Sequence, residues 1–227
     1  MADEIKLYMF TGSTPSRTAQ LMLEHKAIAY RTAHVLVGPH AFAMLGRGFD
    51  TMTVPALRIG RRRVQGTRQI SRALDELVPQ PPLFPADPQR RAAVVAAERA
   101  GEQLQDDVRR IFWCAAQRDP QAYRSVLRHP RAVMRPVQAV ARRLVTRLAS
   151  AGHRATDFTG EEALSLLPGR LDEIDAWIEQ GVLGGAQLNA ADFQIAPSLA
   201  ALLDFADVAP FVEGRPSARL AERVAPG

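Results

Sequence analysis

The chain has 227 residues, of which 47% are hydrophobic and 23% charged, a composition that excludes wholesale disorder. Its net charge of +5 is carried by arginine, since Lys6 and Lys26 are its lysines, and the basic residues are interleaved with acidic ones, which disfavours a nucleic-acid surface. No apolar run approaches the ~18–20 residues of a membrane helix, and the acidic start has no basic leader, so the expectation is a cytoplasmic protein without membrane contact.

In chain order, Ile5 to Phe10 reads as a strand and Pro15 to about His25 as a helix with Ala19, Met22 and Leu23 on its apolar face. Tyr30 to Val35 reads as a second strand, followed by an irregular stretch from Gly38 to Thr53. Ala56–Ile59 and Arg63–Gln65 flank Gly60-Arg61, a hairpin signature. Thr67 is the expected cap of a helix through Ile70, Leu74 and Leu77. The opening βαβ unit implies parallel strands joined by a right-handed crossover.

Residues 78–88 hold five prolines, a density that no helix or strand survives, so 79–88 reads as a stiff linker between a domain at 1–78 and another at 89–227. Asp87 then caps a helix that has Pro88 at its first position. Val94, Ala97, Gly101, Leu104, Val108, Ile111 and Phe112 trace one stripe of a helix about 30 residues long. Further helices are expected at about 130–151, 160–180 and 190–206, with a short one after Pro216. Thr159 with Glu162, and Asn189 with Asp192, fit reciprocal capping boxes. The reading is a small α/β domain joined to an all-helical one.

Three junctions hold candidate site residues. Thr11-Gly12-Ser13-Thr14-Pro15-Ser16 lies between the first strand and first helix, in the crevice where α/β sheets bind ligands. The helix amides and macrodipole there favour an anion, and Ser13 is placed either to donate to it or simply to cap the helix. Val54-Pro55 enters a strand, where a cis bond would leave the backbone of Val54 free for a ligand and a trans bond would make an ordinary turn. Gln65-Gly66-Thr67-Arg68 is a strand-to-helix junction whose amides suit a carboxylate. Elsewhere the pattern points away from chemistry. The lone Cys114 can form neither an internal disulfide nor a zinc site, and the five histidines have no metal-ligand spacing, so no metal is expected.

In the order of these segments, with Ser13-Thr14-Pro15-Ser16 at the helix start, Val54-Pro55 before the third strand, then the hairpin, Gly66-Thr67, the proline-rich linker and the helical region, the chain resembles the glutathione S-transferase superfamily, in its serine-type, bacterial-like form. The resemblance implies a thioredoxin-like domain at 1–78 that binds the thiol, followed by an all-α domain. Ser13 matches the serine or cysteine that serves the thiol, and Val54-Pro55 matches the pair that meets the cysteinyl part of glutathione. Gly66-Thr67 matches the pair that holds the γ-glutamyl carboxylate, with Arg68 beside it as reinforcement. Asn189 to Asp192 matches a capping box that serves folding.

Two residues depart from that pattern. Gly66 lacks the side chain that would meet the glutathione amine, so weak binding is expected, improved by Gly66→Glu unless the backbone there needs φ > 0. The tyrosine of another branch would fall at Met9, and strand alternation turns Tyr8 to the opposite face.

The function implied is conjugation of glutathione, or a similar low-molecular-weight thiol, to a small electrophile by a homodimer. Phe10, Arg109, Phe112 and Trp113 are candidates for the electrophile site, and interdomain core is the other reading of Phe112 and Trp113. The alternative function is a non-catalytic module of the same fold that binds a ligand or a protein.

Overall fold

The computed structural model describes residues 4–35, 44–118 and 156–226. Four strands, β1 (Ile5–Met9), β2 (Arg31–His34), β3 (Ala56–Ile59) and β4 (Arg62–Gln65), form one mixed sheet in the order β2-β1-β3-β4. β1 and β2 run parallel, while β1 with β3 and β3 with β4 are antiparallel. Between β3 and β4 the chain turns in two residues, with Gly60 at φ +54°, a backbone value that a tight hairpin turn requires and glycine supplies without strain.

Helix α1 (Thr14–His25) crosses between β1 and β2, and α2 (Thr67–Leu77) follows β4. Strand alternation divides the sheet. Leu7, Met9, Leu57, Ile59 and Val64 share a core with Ala19, Met22 and Leu23 of α1 and Ile70 and Leu74 of α2. Tyr8 and Ala56 face the other way, toward Met44 and Phe49.

Beyond residue 87 the described chain is helical: α3 (Pro88–Arg118), α4 (Asp157–Glu179), α5 (Ala190–Leu203), α6 (Ala209–Val212) and α7 (Pro216–Val224). α5 is buried nearly all round, Gln194 and Ser198 included, and it packs against α1, α3 and α7, which fits a helix at the centre of a domain. Its start is the expected capping box: the side chain of Asn189 accepts from the amides of Ala191 and Asp192, and Asp192 accepts from the amide of Asn189.

The proline-rich segment is docked. Leu83 and Phe84 are buried, Leu83 N–H donates to Asp75 and its carbonyl accepts from Ala190 N–H. The guanidiniums of Arg72 and Arg91 lie 4.7 and 5.1 Å from the centre of the Phe84 ring, a cation–π arrangement on both flanks.

Several local expectations are corrected. The cap of α2 is Gly66, with Thr67 inside the helix. The capping box of α4 joins Thr156 to Thr159, not Thr159 to Glu162, because the helix starts one turn earlier. α5 ends at Leu203, and α6 was not anticipated. The helix expected at about 130–151 lies outside the described residues.

Candidate functional site

The sheet register gathers the three candidate junctions at one end. Tyr8 stands opposite Ala56, and Ala56 opposite Gln65. The exit of β1, the entrance to β3 and the exit of β4 therefore lie side by side. The Ser13 loop, Val54–Pro55 and Gly66–Thr67 continue directly from those three strand ends. Antiparallel pairing brings together segments that are about 40 residues apart in sequence.

At the first junction Ser13 is the N-cap of α1, with extended backbone, and its Oγ accepts the amide of Ser16 at 3.3 Å. The hydroxyl proton of Ser13 has no acceptor among the described residues, so it is available to a ligand at the positive end of α1. The capping reading of Ser13 is the one observed, and accepting as a cap leaves its proton free. Ser16 is fully buried, and its Oγ accepts from Phe10 N–H at 3.5 Å. Phe10 is partly exposed in the same loop, which Thr11 Oγ1 ties to His34 Nδ1 at 3.1 Å.

At the second junction the Val54–Pro55 bond is cis. No hydrogen bond among the described residues takes up the N–H or C=O of Val54. A second cis bond, Gln80–Pro81, was not foreseen.

At the third, the amide of Gly66 donates to Pro55 C=O at 3.2 Å, locking this junction to the second. Gly66 has no side chain to cap α2, so the first helical amides remain open. Thr67 is 4% exposed, and its hydroxyl makes no hydrogen bond among the described residues. Open amides, an unengaged hydroxyl and a helix dipole together suit a carboxylate. Gly66 has φ +83°, and a Cβ there would stand 2.6 Å from Gln69 Oε1. A side chain at Gly66 is therefore disfavoured by the backbone, the condition under which Gly66→Glu is expected not to improve binding.

Arg68 is turned toward α3, with Nη1 3.3 Å from Glu102 and Nε 3.7 Å from Glu98. Glu98 is 1% exposed and is bound by Ser71 Oγ at 2.7 Å and by Arg72. Sequence reading missed this buried carboxylate, although Glu98 falls on the apolar stripe four residues after Val94. Gln105, on the same stripe, donates to Thr18 Oγ1 of α1 at 3.0 Å and to Gln194 C=O of α5 at 3.2 Å. These polar contacts fix α3 against the sheet domain.

Arg109 is engaged by Asp106 at 2.7 Å. Phe112 and Trp113 stack edge-on, with ring centres 4.9 Å apart, and pack with Cys114 and Phe205; they are 8% and 5% exposed. Their locations show helical-region packing and only a small accessible area. Among the described residues no cluster of three or more metal-ligating side chains occurs, and no helix is long and apolar enough to cross a membrane.

Residues 7–82 match the family model described as glutathione S-transferase, N-terminal domain. No curated protein matches the sequence. Among solved structures, a glutathione S-transferase of Ceriporiopsis subvermispora in complex with glutathione is 16% identical, with a TM-score of 0.67 over 98% of this chain and 96% of that one. A beta-etherase from Sphingobium sp. is 19% identical, with a TM-score of 0.63 over 96% and 99% of the two chains. A maleylacetoacetate isomerase from Anaeromyxobacter dehalogenans is 19% identical, with a TM-score of 0.58 over 98% and 86%.

Proposed function

Because the chain belongs to the glutathione S-transferase superfamily by its N-terminal domain and its fold, we propose that it conjugates glutathione, or a similar small thiol, to an electrophile. The observation that carries this reading is the Ser13 hydroxyl, held at the start of α1 with its proton unengaged. A free thiol titrates near 8.5, so only a few per cent is ionised at neutral pH. A hydroxyl that donates to sulfur, together with the α1 dipole, favours the anion over the thiol. The thiol proton passes to solvent. The thiolate sulfur then forms a bond to the electrophilic carbon, and the leaving group departs with its bonding pair. Ser13 stabilises the nucleophile and forms no covalent bond itself.

In this reading Val54 pairs with the cysteinyl backbone and Thr67 takes the γ-glutamyl carboxylate through its amide and hydroxyl. The electrophile lies over Phe10, toward the face of α3 that carries Arg109, with Phe112 and Trp113 supporting that helix from within. The family likeness extends the proposal to a cytoplasmic homodimer. Solved structures of the same fold include a glutathione S-transferase with glutathione bound, a maleylacetoacetate isomerase and a beta-etherase.

One observation favours the alternative, a non-catalytic binding module. Gly66 presents no side chain to the amine of glutathione, and its backbone at φ +83° disfavours adding one. A lost hydrogen bond to a charged group costs about 1.5–3 kcal/mol, or roughly ten- to a hundredfold in affinity. Turnover of a chlorinated nitroaromatic with glutathione separates the readings. Saturable conjugation that falls in Ser13→Ala supports the transferase. A glutathione-induced thermal shift with no turnover supports the binding module, and neither response contradicts both.

A further inference from the structure

The side-chain amide of Gln65, at the end of β4, bridges to the turn that leads into Val54–Pro55. Its Oε1 accepts Thr51 N–H at 2.9 Å, while its Nε2 donates to Thr51 C=O at 2.9 Å and to Thr53 C=O at 3.0 Å. All three bonds fall on the turn that immediately precedes Val54, and that turn is also closed by Thr51 Oγ1 and Thr53 Oγ1 at 2.8 Å. Because the amide uses both acceptor and donor, a carboxylate of the same size cannot replace it: two of the bonds need an N–H. Gln65 also precedes Gly66, whose amide is joined to Pro55 C=O. The backbone from Thr51 to Pro55 is thus pinned at both ends by consecutive residues of the β4–α2 junction.

We infer that Gln65 is a positioning residue for the thiol. By holding Thr51–Thr53, it fixes the direction in which the free N–H and C=O of Val54 are offered, and hence where the thiol stands relative to Ser13. This inference rests on the proposed thiol site. Gln65 touches no ligand itself: its polar atoms are spent on the turn. Loosening the turn removes part of the preorganisation that lets a backbone pair bind without a further ordering penalty.

The test uses the full chain, with glutathione as probe and two variants, Gln65→Met and Gln65→Glu. Hydrogen exchange of the amides at 51–54 reads the clamp, calorimetry reads glutathione affinity, and the pH profile of conjugation reads the thiol's placement. Expected are faster exchange at 51–54 in both variants, glutathione binding at least tenfold weaker, and a profile displaced to higher pH, with melting temperatures close to that of the wild type. Gln65→Glu should not rescue Gln65→Met, whereas a residue that only filled space would be rescued. Wild-type affinity and an unmoved pH profile in the variants would overturn the inference while leaving the thiol site standing. Absence of glutathione binding in the wild type would overturn both, even if exchange at 51–54 quickened in the variants.

Discussion

The amide oxygen of Gln69 lies 2.6 Å from the point where a Cβ on Gly66 would stand. Gln69 is a flexible side chain that can swing aside, so the backbone, not the space, is what keeps glycine at this position. Gly66 is at φ +83°, where a non-glycine residue costs of order 1–3 kcal/mol. Gly66→Glu is expected to lower the denaturation midpoint and to leave glutathione affinity unimproved. Paired denaturation curves and calorimetry check this, and tighter binding by a variant as stable as the wild type would contradict it.

Lys26 ends α1 with its ammonium wholly buried, 3.0 Å from Asp75 and donating to Val78 C=O at 2.5 Å and Pro81 C=O at 2.8 Å. One charge thus holds the end of α2 and the proline-rich segment against α1. Lys26→Met removes the charge, stranding a mostly buried carboxylate and two carbonyls. Breaking a buried pair from one side costs about 3–5 kcal/mol, so the variant should unfold at markedly lower denaturant concentration. An unchanged midpoint would show that Asp75 is satisfied by Leu83 N–H alone.

His25 packs on Phe193 with ring centres 5.0 Å apart, and burial, followed by the neighbouring charge of Lys26, lowers its pKa below 6.5. The folded state thus prefers neutral imidazole, and between the depressed folded pKa and about 6.5 the unfolded chain binds more protons. Stability from this residue is present above about pH 6.5 and is lost as pH falls through the folded value. Melting temperature should decline from about pH 6.5 to pH 5 in the wild type and decline less in His25→Phe, which keeps a ring against Phe193. Parallel slopes would remove His25 as the cause.

Much of the fold is legible because the sequence signals are local and agree with one another. Gly60 between two short strand-like runs gives the hairpin, and Asn189 with Asp192 gives the start of α5 in a largely apolar stretch. The three junctions of the site could be named one by one. Their convergence depends on register, Tyr8 to Ala56 to Gln65, which no local window contains. Gln65 is legible in sequence only as the strand end of the third junction, because the partners of its side chain at 51–53 lie in an irregular stretch. Lys26 and Glu98 give little sign of burial in sequence for a related reason. Charged residues are solvated by default, and only the position of Glu98 on the apolar face of α3 hinted otherwise. The cap of α2 is expected at Thr67 because its hydroxyl can accept a helical amide, but Gly66 precedes the helix at a positive φ that threonine avoids.

The central claim is that the Ser13 hydroxyl, at the start of α1, holds a bound thiol as its anion. The most direct measurement is the titration of glutathione bound to the wild type and to Ser13→Ala, followed by the ultraviolet band of the thiolate. A hydrogen bond to a charged group contributes about 1.5–3 kcal/mol, which corresponds to roughly a ten- to hundredfold change in ionisation equilibrium. The account predicts that thiol bound to the wild type ionises well below its free value near 8.5, and that Ser13→Ala moves the titration upward by that factor with affinity changed little. Identical titrations in the two proteins would contradict it.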